Sequence, residues 1–86
     1  MNTTLVKSPP PGDFAYISAL KTGWHAQLQL LISQKQPVTY DFFPLRQFPA
    51  DVLEQAGKNG FQHLVIENDR WQHFFIPPAN ESERIA

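Results

Sequence analysis

Two largely apolar segments near the C-terminal end of the chain give the clearest prediction of secondary structure. Residues 61–67 and 70–76 are rich in β-branched and aromatic side chains, and the polar pair Asn68-Asp69 separates them. This pattern predicts two strands joined by a tight hairpin turn. One face of that hairpin would carry Leu64, Ile66, Trp71 and Phe75, and the other Phe61, Val65, Phe74 and Ile76. Because both faces are apolar, we expect either that helices cover both sides or that one face binds a partner.

The segment from Asp13 to Gln36 is compatible with two structures. As one helix, it collects its large apolar residues on one arc, begins at an Asp13 N-cap and stops before Pro37. As a β-hairpin, it turns at residues 21–23 and alternates on either side. A mid-helix Gly23 costs about 1 kcal/mol relative to alanine. The helix accounts for more of the segment, including both ends, so we favour it and keep the hairpin over residues 14–35 as the alternative.

Two shorter elements complete the predicted fold. Residues 38–43 are β-branched and aromatic between two prolines, which predicts a short strand. Residues 49–56 begin with proline and carry acids near their start, which predicts a short helix. The predicted fold class is therefore a small single α+β domain: an N-terminal helix, a short strand, a short helix and a C-terminal β-hairpin, with a mainly antiparallel three-stranded sheet.

Proline-rich and polar ends set the predicted domain bounds. Pro9-Pro10-Pro11 cannot form a helix or a central strand, so residues 1–12 are predicted to be a flexible N-terminal arm. A second proline pair at 77–78 precedes a mostly polar end, and residues 78–86 are predicted to be a flexible C-terminal tail. The single domain then spans residues 13–77.

Composition excludes several classes of protein and site. The chain has 7 Lys and Arg against 8 Asp and Glu, a net charge of −1, so no bulk positive field attracts nucleic acid or anionic lipid. It has no cysteine, which excludes disulfides, zinc–thiolate sites and cysteine nucleophiles. No apolar run approaches the ~18 residues of a membrane span. We expect a cytoplasmic protein with no membrane partner.

The candidate chemical groups do not combine into a site. With Asn68-Asp69 as the turn, His63 and His73 lie on opposite faces of the hairpin, whereas a loop one residue longer puts both on one face. His25 lies on a different element, and a metal needs three or four converging ligands. No serine has the surroundings of a nucleophile. We predict no catalytic residue, no cofactor and no metal, and keep a small enzyme or metal-binding domain as the second alternative.

Nucleic-acid binding is the first alternative. A helix followed by a β-hairpin has the outline of the second half of a winged-helix domain. The helix at residues 49–56 carries two acids, Asp51 and Glu54, and no basic residue before Lys58. A helix that enters a DNA groove normally presents basic or amide side chains. This class of partner is therefore disfavoured.

Protein binding is the function that we favour. Seven phenylalanines and two tryptophans are many large rings for so small a core, and aromatic residues are enriched at interface centres. We predict a non-catalytic accessory or regulatory protein that binds another protein, or itself as a homo-oligomer, through an aromatic hairpin surface. The predicted binding residues are Trp71, His73, Phe74, Phe75 and Phe42.

Overall fold

The computed structural model describes residues 3–41, 45–67 and 71–78. The described elements are strands β1 (Thr3–Leu5) and β2 (Ala15–Ser18), helix α1 (Trp24–Ser33), strand β3 (Val38–Asp41), a 3-10 turn (Leu45–Gln47), helix α2 (Ala50–Lys58) and strands β4 (Gln62–Glu67) and β5 (Trp71–Ile76). Two helices beside one sheet confirm the predicted α+β class. The sheet has five strands instead of the expected three, because β1 was not predicted and a strand at β2 was predicted only by the alternative hairpin.

The segment from Asp13 to Gln36 is neither one helix nor a hairpin. Its first part is the strand β2, and its second part is α1, which starts only at Trp24. Gly23 separates them with a φ of 79°, a left-handed conformation that an α-helix cannot pass through. Both predicted structures for this segment are therefore wrong over half of its length.

The five strands lie in the order β1-β4-β5-β3-β2, and β5 is antiparallel to its neighbours β4 and β3. The outer strands pair in parallel, β1 with β4 and β2 with β3. The parallel neighbours β2 and β3 are linked through α1, and β3 is linked through α2 to β4. Both links advance in the same direction across the sheet, so right-handed crossovers place both helices on one face.

We call the sheet face under the two helices the helix face. The main core forms between this face and the inner sides of α1 and α2, and its buried members are Ile17, Leu28, Ile32, Val38, Tyr40, Phe48, Val52, Ala56, Phe61 and Phe75. α1 packs on β2 and β3 and lies beside α2. The side of α1 that faces away from the sheet and from α2 remains exposed to solvent.

The opposite face of the sheet is crossed by the N-terminal segment. β1 and β2 lie at the two edges and point the same way, so residues 6–14 must traverse the sheet between them. Phe14, at the end of this segment, packs edge-on against Phe74 with ring centroids 5.3 Å apart. The proline run is therefore part of a crossover, which corrects the expected arm over residues 1–12. Thr3–Leu5 is a strand of the sheet, and residues 79–86 of the expected tail lie outside the described residues.

The hairpin of β4 and β5 forms as predicted but with a different register. Glu67 pairs with Trp71, so three residues rather than two separate the strands, and those three lie outside the described part of the chain. His63 pairs with Phe75, and His73 pairs with Val65. This one-residue change places both histidines on the helix face. β4 and β5 are also interior strands of the sheet, so they do not project as the wing that the winged-helix outline requires.

Candidate protein-binding surface

Most of the predicted binding residues are part of the core. His73, Phe74 and Phe75 are buried, and Trp71 is half-buried. Phe42 lies outside the described residues. The burial of the first three corrects the expectation that the rings of β5 form an exposed face, because a side chain without exposed surface offers a partner nothing to bind.

The helix face buries a hydrogen-bonded pair of imidazoles. The distance from His63 Nε2 to His73 Nδ1 is 2.9 Å, and the Thr3 hydroxyl lies 2.9 Å from His63 Nδ1. The Phe75 ring stacks on the His63 ring with centroids 4.5 Å apart, and the Phe48 ring contacts both imidazoles. Burial first, and then the charge of His73, lower the pKa of His63 to about 3. The His63 ring is therefore neutral near pH 7 and acts there as a hydrogen-bonding member of the core.

A second polar cluster connects the outer parts of α1 and α2. Nε2 of His25 donates to Oδ2 of Asp51 at 3.0 Å, and the Gln29 side chain donates to the same oxygen at 2.9 Å. Gln55 donates to the backbone carbonyl of Gln29 at 3.3 Å. His25 and Asp51 are each about half exposed, so water weakens the pair. The cluster holds the two helices side by side.

No metal centre forms within the ranges that the structure describes. There, His, Cys, Asp and Glu side chains do not gather in groups of three or more that could hold an ion. The same part of the chain contains no helix with both the length and the apolar character needed to cross a lipid bilayer.

The exposed large apolar side chains are not scattered. Among the described residues there are four, and three of them, Tyr16, Leu20 and Leu30, belong to β2, the turn after it and α1. The fourth, Leu5, lies on β1 at the other edge of the sheet. Tyr16 alternates with the core residue Ile17, so its ring lies on the sheet face away from the helices, where its hydroxyl donates to Asp41 Oδ2 at 3.2 Å. We call Leu20 and Leu30, in the turn after β2 and on the outer side of α1, the β2 edge patch. Single exposed apolar residues are ordinary, whereas a group at one edge indicates an interaction surface.

The orientation of α1 places Leu30 on the outer side of this unit. Leu28 and Ile32 point into the core, and His25 and Gln29 contact α2. With 100° between successive residues, Leu30 faces away from both the sheet and α2. Leu30 therefore points off the sheet into solvent, above the part of the sheet formed by β2 and β3 on which α1 packs.

β2 is an outer strand among the described strands of the sheet. Ala15 N–H donates to the Pro37 carbonyl at 3.0 Å, so the backbone groups of Ala15 and Ile17 point toward β3. Those of Tyr16 and Ser18 point away from β3, and the Ser18 carbonyl accepts a hydrogen bond from Lys21 N–H at 3.1 Å. This bond closes the turn that ends β2 and leads toward α1.

The favoured helix prediction missed this surface, because it placed residues 13–36 in one element. The alternative hairpin did place a strand before a turn at residues 21–23, where β2 and the break at Gly23 lie. Leu30 also had a signal, since helical spacing places it opposite Leu28 and Ile32. The exposure of Leu20 had none, because the helix prediction placed it on the apolar arc.

Searches against protein-family models, curated proteins and solved structures find no match to this chain. Its function must therefore be argued from its own surface.

Proposed function

We propose that the chain is a non-catalytic, cytoplasmic accessory protein that binds another polypeptide through the β2 edge patch. The observation that supports this most strongly is that three of the four exposed large apolar side chains of the described residues belong to β2, the turn that follows it and α1. A soluble surface that combines an outer strand with exposed leucines is suited to being covered.

The proposed mode of binding is packing of apolar side chains of the partner against Leu20 and the exposed side of α1. Leu20 is 85% exposed and Leu30 is 55% exposed, so covering them removes apolar surface from water. The loss of that exposed apolar surface supplies the affinity of the contact.

The exposed side of α1 supports this proposal. Its exposed residues are Ala26, Gln27, Leu30 and Ser33, and the helix contains no Asp, Glu, Lys or Arg. Depletion of charged residues is characteristic of the centre of a protein–protein interface, because burying an unpaired charge is costly. The same lack of basic residues disfavours contact with a nucleic acid.

Affinity capture with two matched leucine variants tests the proposal. Leu30 and Leu5 are exposed to similar degrees, 55% and 64%, but lie at opposite edges of the molecule. We expect proteins captured by the wild-type chain to be lost with Leu30→Lys and retained with Leu5→Lys, while both variants unfold near the wild-type temperature. Capture that is unaffected by Leu30→Lys, or abolished only by Leu5→Lys, would contradict this surface.

A further inference from the structure

We infer that β1 is an acid-released strand: it undocks from β4 while the rest of the sheet stays folded, and this opening gives water and protons access to the buried imidazole pair of His63 and His73. β1 and β2 lie at opposite edges of the sheet, so this device is independent of the proposed β2 edge patch. It requires that β1 is weakly held and that its departure uncovers the pair.

Little apolar burial holds β1 in place. Thr3 is half-buried, Thr4 and Leu5 are exposed, and none of the three belongs to the buried core. Most contacts of β1 are with β4, which it meets over a register of three residues. Val6 N–H extends this pairing by donating to the Val65 carbonyl at 2.9 Å. A short segment with few buried contacts opens at a lower cost in free energy than a whole domain.

Thr3 connects this weakly held strand to the imidazole pair. It pairs with His63 across β1 and β4, and its hydroxyl lies 2.9 Å from His63 Nδ1. On the other side of the ring, His63 Nε2 lies 2.9 Å from His73 Nδ1. Because a hydroxyl both donates and accepts, Thr3 satisfies Nδ1 in either tautomer of the neutral ring. When β1 undocks, water takes the place of this hydroxyl.

The surroundings of the docked pair oppose a positive charge on the His63 ring. The titratable side chains that face the pair are themselves uncharged or like-charged: His73 of β5, and Tyr40 of β3, whose phenol pKa is raised by burial. The other side chains on this face are apolar or hydroxyl groups, namely Thr3 and Leu5 of β1, Phe75 of β5, Phe48, and Val52 and Ala56 of α2. The charged residues of the neighbouring elements are exposed to solvent, namely Asp51, Glu54 and Lys58 of α2 and Glu67 of β4.

Undocking removes this penalty. Water reaches the His63 ring in the undocked state, so its pKa returns toward the ordinary 6.5, compared with about 3 when β1 is docked. Between these values the undocked state binds a proton that the docked state does not, so acid favours undocking. The two pKa values predict an opening equilibrium constant about 30-fold larger at pH 5 than at pH 8. The uncovered edge of β4 is then a template for another strand.

Amide hydrogen exchange of the full-length chain, followed by NMR and corrected for the intrinsic rate at each pH, tests the inference. The Val6 amide reports on β1, and the Phe74 amide, in the interior strand β5, reports on global unfolding. We expect Val6 to be protected less than Phe74 by a factor of roughly ten or more at pH 8, and its protection to fall about 30-fold by pH 5. Equal protection of the two amides would show that β1 opens only with the whole domain. A Val6 protection that does not depend on pH would show that opening leaves the imidazoles covered. Either result would overturn the inference.

Thr3→Val and Thr4→Val are a matched pair, because both keep a β-branched side chain in β1 and the two positions lie on opposite faces of the sheet. We expect Thr3→Val to lower the protection of Val6 about fivefold at pH 8 and Thr4→Val to leave it close to the wild-type value. His63→Gln, which cannot take up the proton, should remove most of the difference between pH 8 and pH 5. Equal effects of the two threonine variants, or a His63→Gln chain that keeps the full pH dependence, would refute the role of the imidazole pair.

Discussion

The two helices pack on the same sheet face but present different outer surfaces. α2 exposes Asp51, Glu54 and Lys58, and the last two form an ion pair of 3.1 Å one helical turn apart. α1 exposes Leu30 among small and amide side chains and has no residue that is permanently charged. Both helices bury an apolar inner side, so stability of the fold does not explain the difference. What differs is the outer side, which is solvated on α2 and suited to burial on α1.

The largest expected effect separates the inner and outer sides of α1. Leu28→Ala removes a fully buried side chain and should lower the free energy of unfolding by about 2–5 kcal/mol. Leu30→Ala, two residues away and 55% exposed, should change it by less than about 0.5 kcal/mol. Urea unfolding at a protein concentration low enough to keep the chain monomeric measures both. Equal losses would show that the outer side of α1 is part of the core.

Acid should weaken the core beneath the helices. In the unfolded chain His63 has its ordinary pKa of 6.5, and in the folded chain burial and His73 lower that pKa to about 3. Between these values the unfolded state binds a proton that the folded state does not. The free energy of unfolding therefore has its full value above pH 6.5. Below that pH it decreases as the pH falls, by up to about 1.4 kcal/mol per pH unit.

Urea midpoints at pH 8, 7, 6 and 5 test this pH dependence. The midpoint should hardly change between pH 8 and 7 and should decrease below pH 6.5. His63→Gln, which cannot bind that proton, should flatten the decrease. If the wild-type midpoint is constant from pH 7 to 5, the imidazole is not buried as described.

The smallest expected effect concerns the outer side of α2. Lys58→Ala removes the exposed pair with Glu54 and should cost about 0.3–0.5 kcal/mol at low salt and less at high salt. Thermal unfolding at two salt concentrations measures it. A loss above about 1 kcal/mol in the free energy of unfolding would show that the charged outer side of α2 stabilises the fold. The outer sides of α1 and α2 would then differ in their contribution to stability as well as in their charge.

The secondary structure of β4, β5 and α2 could be predicted from the residues within each element. The strands β4 and β5 have six residues each, with apolar side chains on both faces, and α2 has a proline at its N-cap, an acid in its first turn and a lysine in its last. The α+β class follows from these elements. β1 and β2 have only three and four residues, too few for a period to show, and they become strands because β4 and β3 are there to pair with them.

Exposure, in contrast, was decided by the tertiary structure. Moving the hairpin register by one residue exchanges the faces of a strand, and it brought His63 and His73 together in the core. The rings of β5 are buried because that strand lies in the middle of the sheet, with helices on one side and the crossover of residues 6–14 on the other. Leu30 is exposed because the Leu28 and Ile32 side of α1 packs on the sheet, which leaves the opposite side of the helix without cover from any element of the described chain. The sequence by itself determined which residues are apolar and which short segments fold, since those properties are local. Which apolar residues remain on the surface depends on the order of the strands, and that order is set by pairings between residues far apart in the chain.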